Sequence, residues 1–311
     1  MSLDPAAVID RRRLKRRLIF WRIFGVIAAV AAVIAGMGRF GETGFGDHVA
    51  RLSVDGLIVN DRIRENALAA VAANDSVKAL IVGIDSPGGT YVGGESLYQA
   101  LRIVAAKKPV VALMNGTATS AAYMIALGAD RIFARSGTVT GSIGVIMQTA
   151  DVTGLLAKLG IKPETIKSGP LKAQPNPMEP FTPAARAAIQ NVIEDLYGLF
   201  VDLVAERRGM DRTEVTAMAD GRIYSGRQAK AKNLIDAIGT ESTALAWLVK
   251  DRGVEVGLPV HEMELDYGDE PWRELLGSRL SLAAQTIFGK ALFSERLRLD
   301  GVISLWHPEA Q

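Results

Sequence analysis

The chain of 311 residues contains no cysteine. That excludes disulfides, thiolate metal sites and a cysteine nucleophile. Histidine is nearly absent too, with only His48, His261 and His307. A Ser-His-Asp hydrolase needs a histidine in a loop of its core, so this scarcity narrows the choice of general base. Aromatic residues make up only 6%, whereas hydrophobic residues reach 49% and glycine numbers 31. Such small, apolar side chains suit an α/β protein. The net charge of +2 is too small to point to a nucleic-acid partner.

The positive charge is instead local. Residues 11–17 read RRRLKRR, and LIFWRIFGVIAAVAAVIAGM follows from Leu18 to Met37. As a helix that stretch would span about 30 Å, the thickness of a bilayer core. Arg22 lies close enough to the basic end to reach the headgroups, and Trp21 suits the same interface. The expected organisation is a basic cytoplasmic stretch at 1–17, a transmembrane anchor at 18–38 in the lipid bilayer and a linker at 39–46. The remainder lies across the membrane, because basic flanks stay inside. A cleavable signal peptide is the alternative; its apolar stretch is normally about 7–15 residues, shorter than this one.

Beyond the linker, strand and helix patterns alternate. HVARLSVDGLIV reads as paired strands around a turn at Asp55-Gly56. Helical patterns follow at 63–72 and 96–106, with apolar strands at 78–84 and 109–115. A small-residue helix is expected at 119–129 and a strand at 131–134. A helix at 152–159 and a strand near 164–166 precede a proline-rich loop. Thr182-Pro183 then opens a long helix to about Arg208, with Thr182 as N-cap. Strand–turn–helix units in this rhythm imply α/β layering. The main domain spans 47–240, and a C-terminal extension covers 241–311.

Four segments carry candidate chemistry. Ser86-Pro87-Gly88-Gly89 follows a buried strand, and its glycines let backbone N–H groups face a ligand atom, as in an oxyanion hole; an ordinary tight turn has the same composition. Ser120, in TSAAY, starts a helix among small neighbours that leave room for a substrate carbonyl, although a plain N-cap serine looks alike. Thr140-Gly141-Ser142-Ile143-Gly144-Val145 suggests backbone close to a site. Lys172, in GPLK, has Pro170, Leu171, Met178 and Phe181 nearby in sequence. Desolvation lowers a lysine pKa from its ordinary value of about 10.4, which a general base near neutrality requires. A solvated loop lysine is the plainer reading. The histidines lie beside the linker or in the extension, so a Ser-Lys pair is the better candidate than Ser-His-Asp. No carboxylate pair or His/Asp cluster offers a metal site, and no cofactor is expected.

In this order, SPGG, the small-residue serine helix, TGSIGV, the G-x-x-K loop and YSGRQAKAKNLIDAIG (224–239) resemble the SppA-type signal peptide peptidases. The resemblance runs from about residue 48 to 240. It implies a ClpP/crotonase-like fold of ββα units preceded by one N-terminal transmembrane helix. It also implies Ser120 as nucleophile, Lys172 as general base and Ser142 as a third member hydrogen-bonding the lysine. Gly88 and Gly89 would form the oxyanion hole. The implied substrates are remnant signal peptides, and the implied assembly is a ring-shaped homo-oligomer, an octamer in the family. Its Ser and Lys come from one subunit or from neighbours. The implied place is the bacterial inner membrane, single-pass, with a periplasmic catalytic domain. Rival readings are a related Ser-Lys membrane protease with another substrate, a crotonase-like acyl-CoA enzyme, and a non-catalytic scaffold. This chain departs from the family pattern in Ser120-Ala121-Ala122-Tyr123, where Ser-Gly-Gly-Tyr is usual, and in Ala173 after the lysine. Lys167 is the fallback base.

Overall fold

The computed structural model describes residues 17, 19–30, 46–265 and 267, and the backbone of 303–305. Two units divide at Asp47/His48. In the first, residues 19–30 are helical with exposed apolar side chains. Among the described residues, no helix is long and apolar enough to cross a membrane. Residue 18 and residues 31–38 of the expected anchor lie outside the described residues, as does most of 266–311.

The second unit is built on a nine-stranded sheet. β1 (His48–Ile58), β2 (Val77–Thr90) and β3 (Val110–Thr119) pair in parallel at its centre. Their apolar runs, such as Ala79-Leu80-Ile81-Val82, are wholly buried, which is what a parallel sheet covered on both faces requires. α1 (Arg62–Ala73) and α2 (Tyr91–Ala105) connect these strands. Asp61 caps α1 by accepting N–H bonds from Ile63 and Arg64, which satisfies donors otherwise orphaned.

β3 is shared along its length. Its first half pairs with β4 (Arg131–Ala134), and its last three residues pair with β5 (Val139–Gly141). α3 (Ala121–Ala126) lies between β3 and β4 in the chain. β5 continues to β6 (Ile223–Ser225), β4 to β7 (Ala237–Ile238), and β1 to β8 (Val260–Glu262). β9 (Ile303–Leu305) runs antiparallel to the end of β2. The main core lies between this sheet and α1, α2, α3 and α5 (Pro183–Arg208). A smaller apolar cluster joins Phe133 to α8 (Glu241–Arg252). α4 (Thr153–Lys158), α6 (Arg212–Met218) and α7 (Gly226–Ala231) complete the helices of this unit.

Several sequence expectations shift. The expected hairpin at Asp55-Gly56 is a single strand, β1, whose register slips between Asp55 and Leu57, with Gly56 at φ +68°. The partner strand β2 carries one extra residue opposite Gly56, so the irregularity is a bulge rather than a reversal. The strand expected at 78–84 runs on through SPGGT, because it keeps pairing with β1 at Gly88 and Gly89. No strand forms near 164–166, where Thr165 and Ile166 are exposed. Without a neighbouring strand, local β propensity does not hold an extended segment. The long helix is as expected: Thr182 Oγ1 accepts the Ala185 N–H at 3.2 Å, Pro183 is its first residue, and Gly209 closes it at φ +62°.

Tyr123 anchors α3. It is fully buried, and its hydroxyl donates to the Leu234 carbonyl at 2.8 Å. Burial pushes its phenol pKa well up, so the group stays neutral at working pH. Tyr123→Phe would leave that carbonyl unpaired in the core. It should destabilise the domain by about 1–2 kcal/mol, visible as a lower midpoint in thermal unfolding; an unchanged midpoint would remove the anchor role. Arg207 of α5 holds the other end of α3, donating from Nε to the Leu127 carbonyl at 2.8 Å.

Candidate active site

Three segments far apart in sequence meet where β2, β3 and β5 end. The first is the SPGG turn. Ser86 is fully buried; its Oγ donates to the Gly56 carbonyl at 2.6 Å and accepts the Gly88 N–H at 3.1 Å. Gly88 sits at φ +108°, a conformation a side chain resists. Gly89 has no room for one: a Cβ there would lie 1.8 Å from the Ile58 carbonyl oxygen. Both glycines are therefore demanded by backbone geometry.

The second segment is the end of β3. Thr119 donates from Oγ1 to the Pro87 carbonyl at 2.9 Å, which ties this strand to the SPGG turn. Ser120 comes next at φ +57°, ψ −122°, a sparsely populated conformation that surrounding structure must enforce. Its N–H donates to the Gly141 carbonyl at 2.9 Å, and its carbonyl accepts the Met124 N–H at 3.0 Å. A serine held on a sharp strand-to-helix turn is a familiar device for presenting a nucleophile. Helix α3 is six residues, shorter than the expected 119–129, because Ser120 itself is not helical.

The third segment runs from β5 to Ser142. Thr140 Oγ1 donates to the Ala118 carbonyl at 2.7 Å, two residues before Ser120. Ser142, with φ +51° and little exposure, donates its N–H to the Arg222 carbonyl at 2.8 Å. Ser120 and Ser142 are two of the four described non-glycine residues with positive φ, the others being Ala173 and Asn233. The structure brings Gly88, Gly89, Ser120 and Ser142 into one hydrogen-bonded neighbourhood.

Lys172 lies in the proline-rich loop. It is exposed, on a turn where its N–H donates to the Gly169 carbonyl at 3.1 Å. Among the described residues it makes no hydrogen bond to Ser120 or Ser142. Lys167, the fallback base, forms an ion pair with Glu179 in a shallow cavity of about 530 Å³ lined by Pro163, Thr165, Gly169 and Pro170. That lysine bond holds the Glu179 carboxyl below the usual carboxylate range. The Lys167 amine is thus already engaged by a carboxylate rather than directed at Ser120. The stretch from α4 through the proline-rich loop also exposes apolar side chains: Leu155, Leu159, Ile161, Ile166, Leu171 and Met178.

Sequence reasoning placed Thr119 and Thr140 in candidate segments but gave neither side chain a role. Both are fully buried hydroxyls that bond to carbonyls of other segments. The signal available was weak: threonines beside a candidate serine and a glycine pair, with nothing to show which carbonyls they reach.

A buried, strained serine thus lies between two glycine-bearing segments, and comparison gives the family. The profile of Peptidase family S49 matches residues 102–255, and the chain belongs to that family. It is 38% identical over 225 residues to a Synechocystis sp. protein with protease in its name, covering 72% of this chain and 79% of that one. A Methanocaldococcus jannaschii protein, likewise named for protease activity, is 40% identical over 180 residues, 58% of each chain. An Enterococcus faecium protein named for signal peptide peptidase SppA is 38% identical over 186 residues, 60% of this chain and 54% of its own. The chain therefore spans little more than half of the latter two relatives.

Proposed function

We propose that this protein is a membrane-anchored serine endopeptidase in which Ser120 is the nucleophile and Lys172 the general base. It would act on remnant signal peptides. The observation that carries the reading is the strained Ser120 backbone, wedged between the SPGG turn and the β5 end by the bonds of Thr119 to Pro87 and of Ser120 to Gly141. Ser120 Oγ attacks the peptide carbonyl carbon while its proton passes to the amine of Lys172. The carbonyl oxygen gains negative charge and faces the N–H groups of the Gly88–Gly89 turn. The lysine returns the proton to the leaving amine as the C–N bond breaks. Water then hydrolyses the acyl-enzyme and frees Ser120. Because the Gly88 N–H already reaches Ser86 Oγ at 3.1 Å, its service to an oxyanion means sharing or exchanging that bond.

An extended substrate is supported by β9, which lies antiparallel to Gly88–Thr90, pairing Gly88 with Leu305 and Thr90 with Ile303. The edge beside Ser120 thus accepts a strand, the usual way of gripping a peptide through its backbone. The exposed apolar side chains between Leu155 and Met178 suit packing against a second copy, as in the ring-shaped homo-oligomer that the resemblance implies. In that arrangement a neighbour can supply the lysine. The basic stretch and apolar run at 11–37 support a single-pass anchor in the inner membrane, with the catalytic domain on the periplasmic side.

The substrate is tested by incubating the detergent-solubilised full chain with a synthetic signal peptide and following products by mass spectrometry. Internal cuts beside small or apolar residues are expected. A signal peptide left intact while an unrelated extended peptide is cleaved would remove that substrate and favour a related protease with a different target.

A further inference from the structure

We propose that Ser86 and Thr119 are positioning residues that hold the oxyanion turn in register with the nucleophile; this rests on the serine-peptidase reading above. The two hydroxyls grip opposite edges of one peptide plane. Thr119 Oγ1 donates to the carbonyl oxygen of Pro87 at 2.9 Å, and Ser86 Oγ accepts the N–H of Gly88 at 3.1 Å. Carbonyl and N–H belong to the same Pro87–Gly88 unit, so together they oppose its rotation. Glycine at 88 removes the side-chain barrier that would otherwise resist such a flip.

Each hydroxyl is anchored independently. Ser86 Oγ also donates to the Gly56 carbonyl at 2.6 Å, which ties the plane to β1 at the position facing the extra residue of β2. Thr119 precedes Ser120 directly, so its bond sets the distance between the nucleophile's backbone and the turn. Both side chains are fully buried, where a hydrogen bond is strong and an unmade one costly. The direction of the next N–H, that of Gly89, is set from this plane through the single residue Gly88. A donor group must meet the developing oxyanion closely to be effective. A plane free to rotate would weaken the transition state without weakening the grip on the rest of an extended peptide.

The test compares Thr119→Val, Thr119→Ser, Ser86→Ala and Ser120→Ala with wild type, as full chains in detergent. An internally quenched peptide reports kcat and KM, and a fluorophosphonate probe reports the reactivity of Ser120. Thr119→Val keeps the shape and loses the hydroxyl. It should lower kcat about 10–100-fold with KM little changed, and slow phosphonylation in parallel. Thr119→Ser should restore most of the rate. Wild-type kcat in Thr119→Val, or equal losses in the Val and Ser variants, would overturn the proposal. Should Thr119→Val not fold, Ser86→Ala is judged by the same kcat–KM split. An inactive wild type or an active Ser120→Ala sinks the peptidase reading itself, and the proposal with it. That outcome is distinct from an active wild type whose positioning variants keep full kcat.

Discussion

Ser120→Ala is expected to abolish peptide hydrolysis, with a fall in kcat of about 10⁴-fold or more, and to end labelling by a fluorophosphonate. Without the Oγ no acyl-enzyme can form, and only the stabilisation that the turn gives to attack by water remains. The substitution changes little else. Alanine and serine differ by one oxygen, and both bear the strain of φ +57° equally. The far-ultraviolet circular dichroism and melting midpoint should therefore match wild type, so a loss of turnover can be assigned to chemistry. Turnover near the wild-type rate would remove Ser120 from the reaction and return the scaffold reading to first place.

Lys172→Ala should lower kcat by about 10³-fold or more, the upper range for a general base, at almost no cost in stability. The second part comes from exposure: the side chain lies on a solvent-facing turn, where substitutions usually change stability by about 0.5 kcal/mol or less. A large kinetic effect from a residue that contributes little to folding is informative about mechanism. It also separates the two arrangements of the dyad. Ser120→Ala and Lys172→Ala chains, each inactive, can be co-expressed. If Ser and Lys meet between copies, mixed assemblies contain sites with both groups intact, and part of the activity returns. If they meet within one chain, the mixture stays inactive. Normal turnover in Lys172→Ala would remove this lysine, and Lys167 would not be an easy replacement, because Glu179 already holds its ammonium.

Other groups near the strand ends have supporting places. Ser142 is strained and nearly buried next to the Gly141 carbonyl that receives the Ser120 N–H. Under the proposed mechanism it would hydrogen-bond the lysine, the role the family resemblance implies. His48 and His261 stack on each other at 4.9 Å between ring centroids. They sit on β1 and β8, away from the strand ends that carry Ser120.

Much of this protein was legible along the chain because the signals are local. Thr182-Pro183 declares a helix start by its own side-chain and ring geometry, and α5 begins there. Glycines at 88 and 89 declare a backbone that no Cβ permits. The absence of cysteine and the remoteness of histidine left serine and lysine as the chemistry on offer. The order of the short motifs was enough to point to the family.

The rest depended on contacts between distant segments. Sequence read Asp55-Gly56 as a reversal, whereas pairing with β2 across both sides of the bulge makes one continuous strand. Pairing of Thr117–Thr119 with β5 extends β3 to the nucleophile, and no residue near Ser120 announces that. The sequence determined which groups can react, because reactivity belongs to residue type and local backbone preference. Only the tertiary structure decided which hydroxyls hold the turn and that Lys172 stands exposed. Those facts are set by register and burial, where Thr119 meets Pro87 and Ser86 meets Gly56 from distant parts of the chain.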